Sequence, residues 1–352
     1  MKVIVTGGAG FIGKHLVKTL LRDEKCNVVV IDNLSNSNLK TFYEFLSWPK
    51  YDISEGDRLS FHEVDIRNDD AVQKVFEEEG DFDICIHLAA ISSVSDSSLD
   101  PNSTFSTNVE GTRNVLSSSS EVGIRNFVYA SSAAVYGQPR HLPIREEDPA
   151  EPISEYGKSK LLGEQLVDKY SSKYRTVTSL RIFNVYGRQT MGYAGVITRF
   201  ADQISKGLPL VIYGNGDQTR DFVSVEDVVG SIILAGGINE ELDNDNNKHS
   251  IWNRSHRRLS NQWIMRQNVF NIGTGMPTTI MNLAKLMIKM SGNTSYHVEP
   301  VYQNILETDI LESYADMRRS RLVLGFNARV DLNLGIERIF SATCTDMPKI
   351  RS

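Results

Sequence analysis

Apolar residues along this chain alternate between two rhythms. Short β-branched runs read as buried strands; between them lie longer stretches in which apolar positions recur every three or four residues, the period of a helix packed on one face. Lys2 to Thr6 is the first such run and His15 to Leu21 the first helical stretch. Leu59 to Asp65, Asp83 to Ala90, Asn126 to Ala130 and, earlier, Asn27 to Ile31 predict further strands. Asp69 to Glu79, Asn108 to Ser119 and 157–173 predict helices. Thr41 to Asp57, with Phe42, Tyr43, Phe45, Leu46 and Trp48 ahead of Pro49, predicts a short helix and a loop between two strands. Strands and helices alternating at this length imply an α/β fold, a doubly wound parallel sheet with helices on both faces. Ligands bind such sheets beyond the carboxyl ends of the strands. Gly7, Asp32, Ala89 and Ser132 all fall there.

Composition narrows the partners. A chain of 352 residues can bury a large core in one or two interlocked domains. Its net charge of −6 argues against nucleic acid as a general partner. No run reaches the ~20 apolar residues of a spanning helix, so no membrane partner is expected. The apolar run after Met1 is too short for a signal peptide. Cys26, Cys85 and Cys344 are too few and too scattered for a disulfide framework or a zinc site. That implies a reducing cytoplasm and no metal.

Two groups of residues carry chemistry. Gly7-Gly-Ala-Gly-Phe-Ile-Gly13 lies between the first strand and the first helix, the context a dinucleotide fingerprint requires. Glycines there allow a tight turn and close approach of a pyrophosphate to backbone N–H groups, and the helix N-terminus adds a partial positive charge. Asp32, at the end of the second strand, can accept from the ribose hydroxyls and would repel a 2′-phosphate, which favours NAD over NADP. The second group is Tyr156 and Lys160, four residues apart and so on one helical face. A free tyrosine titrates near ~10, and an adjacent ammonium favours its phenolate. Ser132, donating to the same substrate oxygen, would complete a relay for moving a proton on and off a sugar-type hydroxyl. An isolated Tyr-x-x-x-Lys is common and usually structural; its company here gives it weight.

With these motifs assembled, the chain resembles the extended short-chain dehydrogenase/reductase family, and within it the nucleotide-sugar epimerases such as UDP-glucose 4-epimerase. The likeness rests on TGGAGFIG (6–13), DNLSNS (32–37), DIR (65–67), HLAA (87–90), SSAAVYG (131–137) and YGKSK (156–160). FNVYG (183–187), GNGDQTRDFVSVEDV (214–228) and NIGTG (271–275) extend it into the second half. The resemblance implies a Rossmann-type NAD domain at 1–181, with a returning segment near 219–236. Residues 182–352 would then form mainly a smaller, interleaved substrate domain. It implies NAD contacts from Gly7, Gly10, Phe11, Ile12, Gly13, Asp32, Asn33, Asn36, Ser37, Asp65, Ile66, Leu88, Ala89 and Ala90, joined by Tyr156 and Lys160. Ser132, Tyr156 and Lys160 match its catalytic triad. Asn184 matches a residue that bonds the sugar nucleotide, and Arg220 one that clamps its diphosphate. A homodimer built on helices 108–119 and 157–173 is expected as well.

Where the chain departs from its relatives, the departures bear on the reaction. Sugar-nucleotide dehydratases and decarboxylating relatives place acidic residues directly after the serine or threonine; here Ala133 and Ala134 stand there. Methyl groups can neither give nor take a proton, which leaves epimerisation at C4 through a 4-keto sugar. The other readings are a nucleotide-sugar reductase or dehydrogenase that releases its product, and a silent NAD-binding homologue. A second phosphate-clamping arginine of the family has no counterpart at Ile305 to Ile310, and Arg188 is a candidate substitute. Arg220 itself could be spent on an ion pair with Asp221 or Asp217. Ser313 stands where relatives limit the space around the sugar C2 substituent, so an N-acetyl group should be admitted. Residues 238–268, rich in asparagine and then basic, read as a surface insertion.

Overall fold

The computed structural model describes residues 1–47, 58–188, 195–238, 268–292, 298–305 and 309–345. The first half runs β1 (Lys2–Thr6), α1 (Phe11–Leu21), β2 (Asn27–Asp32), α2 (Leu39–Ser47), β3 (Leu59–Glu63), α3 (Asp69–Glu79) and β4 (Ile84–His87). It continues through α4 (Val94–Leu99), α5 (Pro101–Phe105), α6 (Gly111–Glu121), β5 (Asn126–Ser132), α7 (Glu155–Tyr170) and β6 (Thr176–Ile182). The second half has β7 (Asn184–Tyr186), α8 (Val196–Ser205), β8 (Val211–Tyr213), β9 (Thr219–Ser224), α9 (Val225–Ala235) and β10 (Asn268–Ile272). After these come β11 (Pro277–Thr279), α10 (Ile280–Met290), β12 (Val301–Gln303) and α11 (Leu332–Thr345).

A seven-stranded sheet in the order β10-β6-β5-β4-β1-β2-β3 forms the centre, and its six pairings are all parallel. Strand order reverses at β1, between β2 and β4, and ligands bind at such a switch point. Successive strand residues face opposite ways. Val3, Val5, Val28 and Val30 therefore pack with Leu16, Val17, Phe42, Leu46, Val228 and Ile232 from α1, α2 and α9. Ile4, Val29 and Ile31 pack with Val72, Phe76, Leu116 and Val167 from α3, α6 and α7. Burial on both faces is why these strands read as unbroken apolar runs.

A third core among the described residues joins Phe200 and Ile204 of α8, Ile212, Phe222, Leu283, Met287 and Ile336. Around it lie a small sheet, β11-β9-β7, and the parallel pair β12-β8. Helix α9 returns to the first core, and β10 adds an edge strand to the large sheet beside β6. A division at 181/182 places β10 with the second unit, although its backbone bonds are to Thr178–Ile182.

Two local differences from the sequence pattern bear on the site. The run Asp83 to Ala90 stops as a strand at His87, leaving Leu88, Ala89 and Ala90 as irregular backbone at the sheet's edge. The helix expected at Asn108 begins as a π turn, Ser106–Glu110, which runs into α6. Such π turns are frequent at functional sites, and the buried Asn108 lies within this one. Most of the insertion at 238–268, and the loop after Ser47, lie outside the described residues.

Candidate active site

The nucleotide turn is built by close packing. Gly7 has φ +70°, and a Cβ there would lie 2.6 Å from the Ala89 nitrogen. A Cβ on Gly13 would lie 2.1 Å from the Gly7 carbonyl oxygen. Only glycine lets β1, the Leu88–Ala90 backbone and the first turn of α1 converge this tightly. Gly10 precedes α1 and brings no capping side chain. The amides of Phe11, Ile12 and Gly13 thus open the helix with its positive dipole end at the sheet's ligand edge. This cradle, with a carboxylate beside it, fits a dinucleotide pyrophosphate and ribose.

That carboxylate is Asp32. Its Oδ2 accepts from Ala9 N (3.0 Å) and its Oδ1 from Leu34 N (2.8 Å). Burial raises its pKa, and the backbone donors oppose that shift. Asp32 thus anchors the glycine turn from the end of β2. The bond to Leu34 accompanies a left-handed φ of +56° at that residue, unusual for leucine. Asn33 donates to Asp65 Oδ2 (3.1 Å), and Arg67 forks onto the same carboxylate, holding its pKa down to about 2. Ile66 is buried, and its carbonyl accepts from Asn114 (3.0 Å). Asn36 is exposed, and Ser37 N bonds back to the Leu34 carbonyl (3.3 Å). The cofactor positions from Gly7 to Ser37 and from Asp65 to Ala90 therefore surround one end of the sheet.

The residues expected to do acid–base work come from β5 and α7. Ser154 caps α7 by accepting from Gly157 N (3.1 Å), which fixes Tyr156 in the first turn and Lys160 one turn later. A Cβ on Gly157 would sit 2.4 Å from the Ala134 carbonyl. The missing side chain lets α7 press against the 3-10 turn Ala133–Tyr136 that follows Ser132. Ser132 ends β5, and its Oγ accepts from Ala134 N (3.2 Å). Lys160 is only 3% exposed. Its Nζ donates to the Ala130 carbonyl (2.8 Å) and lies 5.0 Å from the Tyr129 ring centroid. Burial pulls its pKa down to about 7, with Glu164 working the other way.

Sequence reasoning missed the polar chain behind this pair. Thr112 donates to the Asn108 carbonyl (2.7 Å), so it must accept from His87 Nε2 (2.9 Å). His87 Nδ1 is then the acceptor for Thr6 Oγ1 (2.6 Å). Burial holds this imidazole at about 3, and it stays neutral. Asn108 passes the connection to Ser159 Oγ (2.9 Å), which donates to the Tyr156 carbonyl (2.8 Å). The strand below the glycine turn is thereby tied to the backbone of the tyrosine. The histidine of HLAA and the asparagine before Gly111 were the available signals.

The residues expected to meet a substrate come from two short strands, β7 and β9, and from the segment around Ser313. Asn184 opens β7, half-buried, and lines a small cavity with Val196, Ile197, Thr198 and Phe222. Arg220 pairs with neither Asp217 nor Asp221. Its Nη1 donates to the carbonyls of Thr219 (2.8 Å) and Ile310 (2.6 Å), and its Nη2 lies 3.4 Å from Asp309. Asp221 instead accepts from Thr274, Gly275 and Ala315. Ser313 is buried, two residues before the bridge from Ala315 to Ile144. Arg188 sits beside α1, its carbonyl 3.0 Å from His15 Nε2, at the opposite end of β9 from Arg220. Residues 306–308 of the segment aligned with the family's second clamp lie outside the described residues.

A glycine cradle with a ribose carboxylate and a tyrosine–lysine–serine group, gathered at one edge of a parallel sheet, define a dinucleotide-dependent enzyme acting on a hydroxyl or carbonyl carbon. A model of the NAD dependent epimerase/dehydratase family matches residues 3–273, and the chain belongs to that family. It is 33% identical over 341 residues to a putative UDP-glucose 4-epimerase of Methanocaldococcus jannaschii, with 96% of each chain covered. Its structure is similar to that of UDP-glucose 4-epimerase from Thermotoga maritima with UDP-glucose, at TM-score 0.80 and 30% identity, over 97% of this chain and 98% of that one. UDP-N-acetylglucosamine 4-epimerase from Methanobrevibacter ruminantium, in complex with UDP-N-acetylmuramic acid, is similar at TM-score 0.79 and 27% identity, over 98% and 99%.

Proposed function

We propose that this protein is an NAD-dependent epimerase that inverts C4 of a UDP-linked sugar through a transient 4-keto intermediate. The observation that carries the reading is the pairing of an intact Ser132, Tyr156 and Lys160 with alanines at 133 and 134. Tyr156, as phenolate, takes the proton of the C4 hydroxyl, and Ser132 Oγ hydrogen-bonds the same oxygen. Lys160 in its protonated form supplies the positive charge that favours the phenolate. Bound NAD supplies the acceptor and then the donor of the C4 hydride. Tyr156 afterwards returns its proton to the oxygen of the inverted centre. Ala133 and Ala134 offer no acid or base for elimination, so the keto sugar keeps its other substituents.

In this reading residues 1–181, with 219–236, hold NAD, and 182–352 hold mainly the sugar nucleotide. Asn184 and Arg220 bind the nucleotide and diphosphate. Ser313 leaves room at the sugar C2 position, so UDP-GlcNAc or UDP-GalNAc enters alongside UDP-glucose or UDP-galactose. The M. ruminantium enzyme, named for an N-acetylated sugar, supports that breadth. No helix among the described residues is long and apolar enough to cross a membrane, and the buried free thiols of Cys26 and Cys85 suit a reducing cytoplasm. A homodimer through α6 and α7 is supported by the exposed Leu162 on α7; solution size measurement tests it. To test the function, the purified protein is incubated with UDP-glucose, UDP-GlcNAc and UDP-glucuronate without added NAD, and products are read by anomeric NMR. C4 epimers that disappear in Tyr156→Phe are expected. Steady consumption of added NADH with release of a reduced sugar would overturn epimerisation.

A further inference from the structure

Beneath the reacting face, α7 carries a carboxylate that the steps above do not use. Glu164 is 5% exposed and stands one turn beyond Lys160. Its Oε1 accepts from Ser131 Oγ (2.5 Å) and Arg181 Nε (3.0 Å), and its Oε2 from Arg181 Nη2 (2.8 Å). Ser131 and Arg181 are paired residues on the neighbouring strands β5 and β6, so both reach α7 from the same face of the sheet. The remaining guanidinium nitrogen donates to the Glu146 carbonyl (3.1 Å), and the group lies 4.7 Å from the Tyr136 ring centroid. The carboxylate is thus immobilised by a fork and a hydroxyl.

A buried ion pair is a poor device for stability alone, because desolvating both charges offsets most of their attraction. Its position suggests another purpose. Lys160 is bonded to a neutral carbonyl and an aromatic face, and burial drives it toward the neutral amine. The other titratable groups turned toward the pair are His87 of β4, Tyr129 of β5, Tyr136 of the following turn and Arg181 of β6, with Glu146 behind Arg181. His87 is held neutral, and burial raises the pKa of both tyrosines. Arg181 spends its fork on Glu164. Glu164 is the one anion among these groups that favours the charged form of Lys160.

We propose that Glu164 is a positioning residue of the reaction: locked by Ser131 and Arg181, it is the counter-charge that holds the Lys160 ammonium beside Tyr156. This rests on the acid–base reading of Tyr156 and Lys160, but not on the identity of the sugar. The test measures ionisation of Tyr156 directly, as the tyrosinate ultraviolet difference between each protein and its own Tyr156→Phe derivative, with NAD bound. In Glu164→Gln the midpoint is expected to rise by about one pH unit, leaving about tenfold less phenolate at neutral pH. Where activity is present, the rising limb of kcat moves with it while KM changes little. Glu164→Asp is expected to bring the midpoint back toward the parent. Should the stranded Arg181 prevent Glu164→Gln from folding, the double variant Glu164→Gln/Arg181→Met removes both charges and is read in the same way. An unchanged Tyr156 midpoint in whichever variant folds overturns the proposal. A shifted midpoint in a protein that converts no sugar nucleotide would sustain Glu164 and sink the epimerase reading instead.

Discussion

Two cations, the buried Lys160 and the half-buried Arg220, stand in the two halves of this site in opposite ways. Lys160 arrives by helix register, four residues after Tyr156, and its bonds to the Ala130 carbonyl and the Tyr129 face leave its charge uncancelled by direct contact. Arg220 arrives from a short strand and is already held by Asp309 and two carbonyls. A lysine kept near its point of neutrality is a device for tuning a neighbour's proton. If Arg220 binds the diphosphate as proposed, the incoming group must share or replace its resident Asp309 carboxylate. The first should control the rate of the proton step, the second the affinity for substrate.

Replacing each cation is the sharpest way to test that division. Lys160→Met should cost kcat ~10²–10⁴-fold, the range of a positioned acid–base group, with the sugar nucleotide KM little changed. It should also stabilise the fold. The folded Lys160 titrates at about 7, against ~10.4 for the unfolded chain. Between those values the unfolded chain binds a proton that the folded chain releases, so stability falls as pH falls through that window. The methionine variant should therefore gain on the order of 1–3 kcal/mol at neutral pH, a gain that closes as pH approaches ~10.4. Thermal melts at several pH values would show it; an equal gain at every pH would mean better packing alone.

Arg220→Met should raise KM by ~10–100-fold, from the loss of charge-assisted hydrogen bonds of ~1.5–3 kcal/mol, with kcat kept within a few-fold. A collapse of kcat with KM intact would reverse the assignment of roles. Asp32→Ala should weaken NAD retention by roughly tenfold, the value of one or two hydrogen bonds, and reduce discrimination against NADP. Measured cofactor content after gel filtration would decide it, since an unaltered NAD load contradicts the role. The smallest expected effect is that of Ser313→Tyr. It should lower turnover of UDP-GlcNAc several-fold, the scale of a steric mismatch of ~1–3 kcal/mol, and leave UDP-glucose nearly unaffected. Equal turnover of both sugars in that variant would remove Ser313 from the account of specificity.

The half of the site nearest the cofactor was legible because its residues are close in sequence. The glycine turn is a local conformation, Asp32 ends a strand whose apolar run is visible, and Tyr156 and Lys160 are one helical turn apart. The substrate half is built across long separations. Arg220 and Asp309 are 89 residues apart and meet only because β9 lies against the 309–311 segment. The neighbours Asp217 and Asp221, which looked like partners, point elsewhere: Asp217 accepts from Asn215, and Asp221 is consumed by backbone amides of the 274–275 turn and Ala315.

Hydrophobic period and turn chemistry by themselves determined the alternation of strand and helix, the parallel sheet and the register of the tyrosine and lysine, because each depends on residues within a few positions of one another. The order β10-β6-β5-β4-β1-β2-β3 then decided the rest. It set Thr6 against His87 and Ser131 against Arg181, and so held the Glu164 carboxylate in place one turn beyond Lys160. A buried polar group takes its partner from whichever strand the sheet lays beside it, and that neighbour is a property of the tertiary fold.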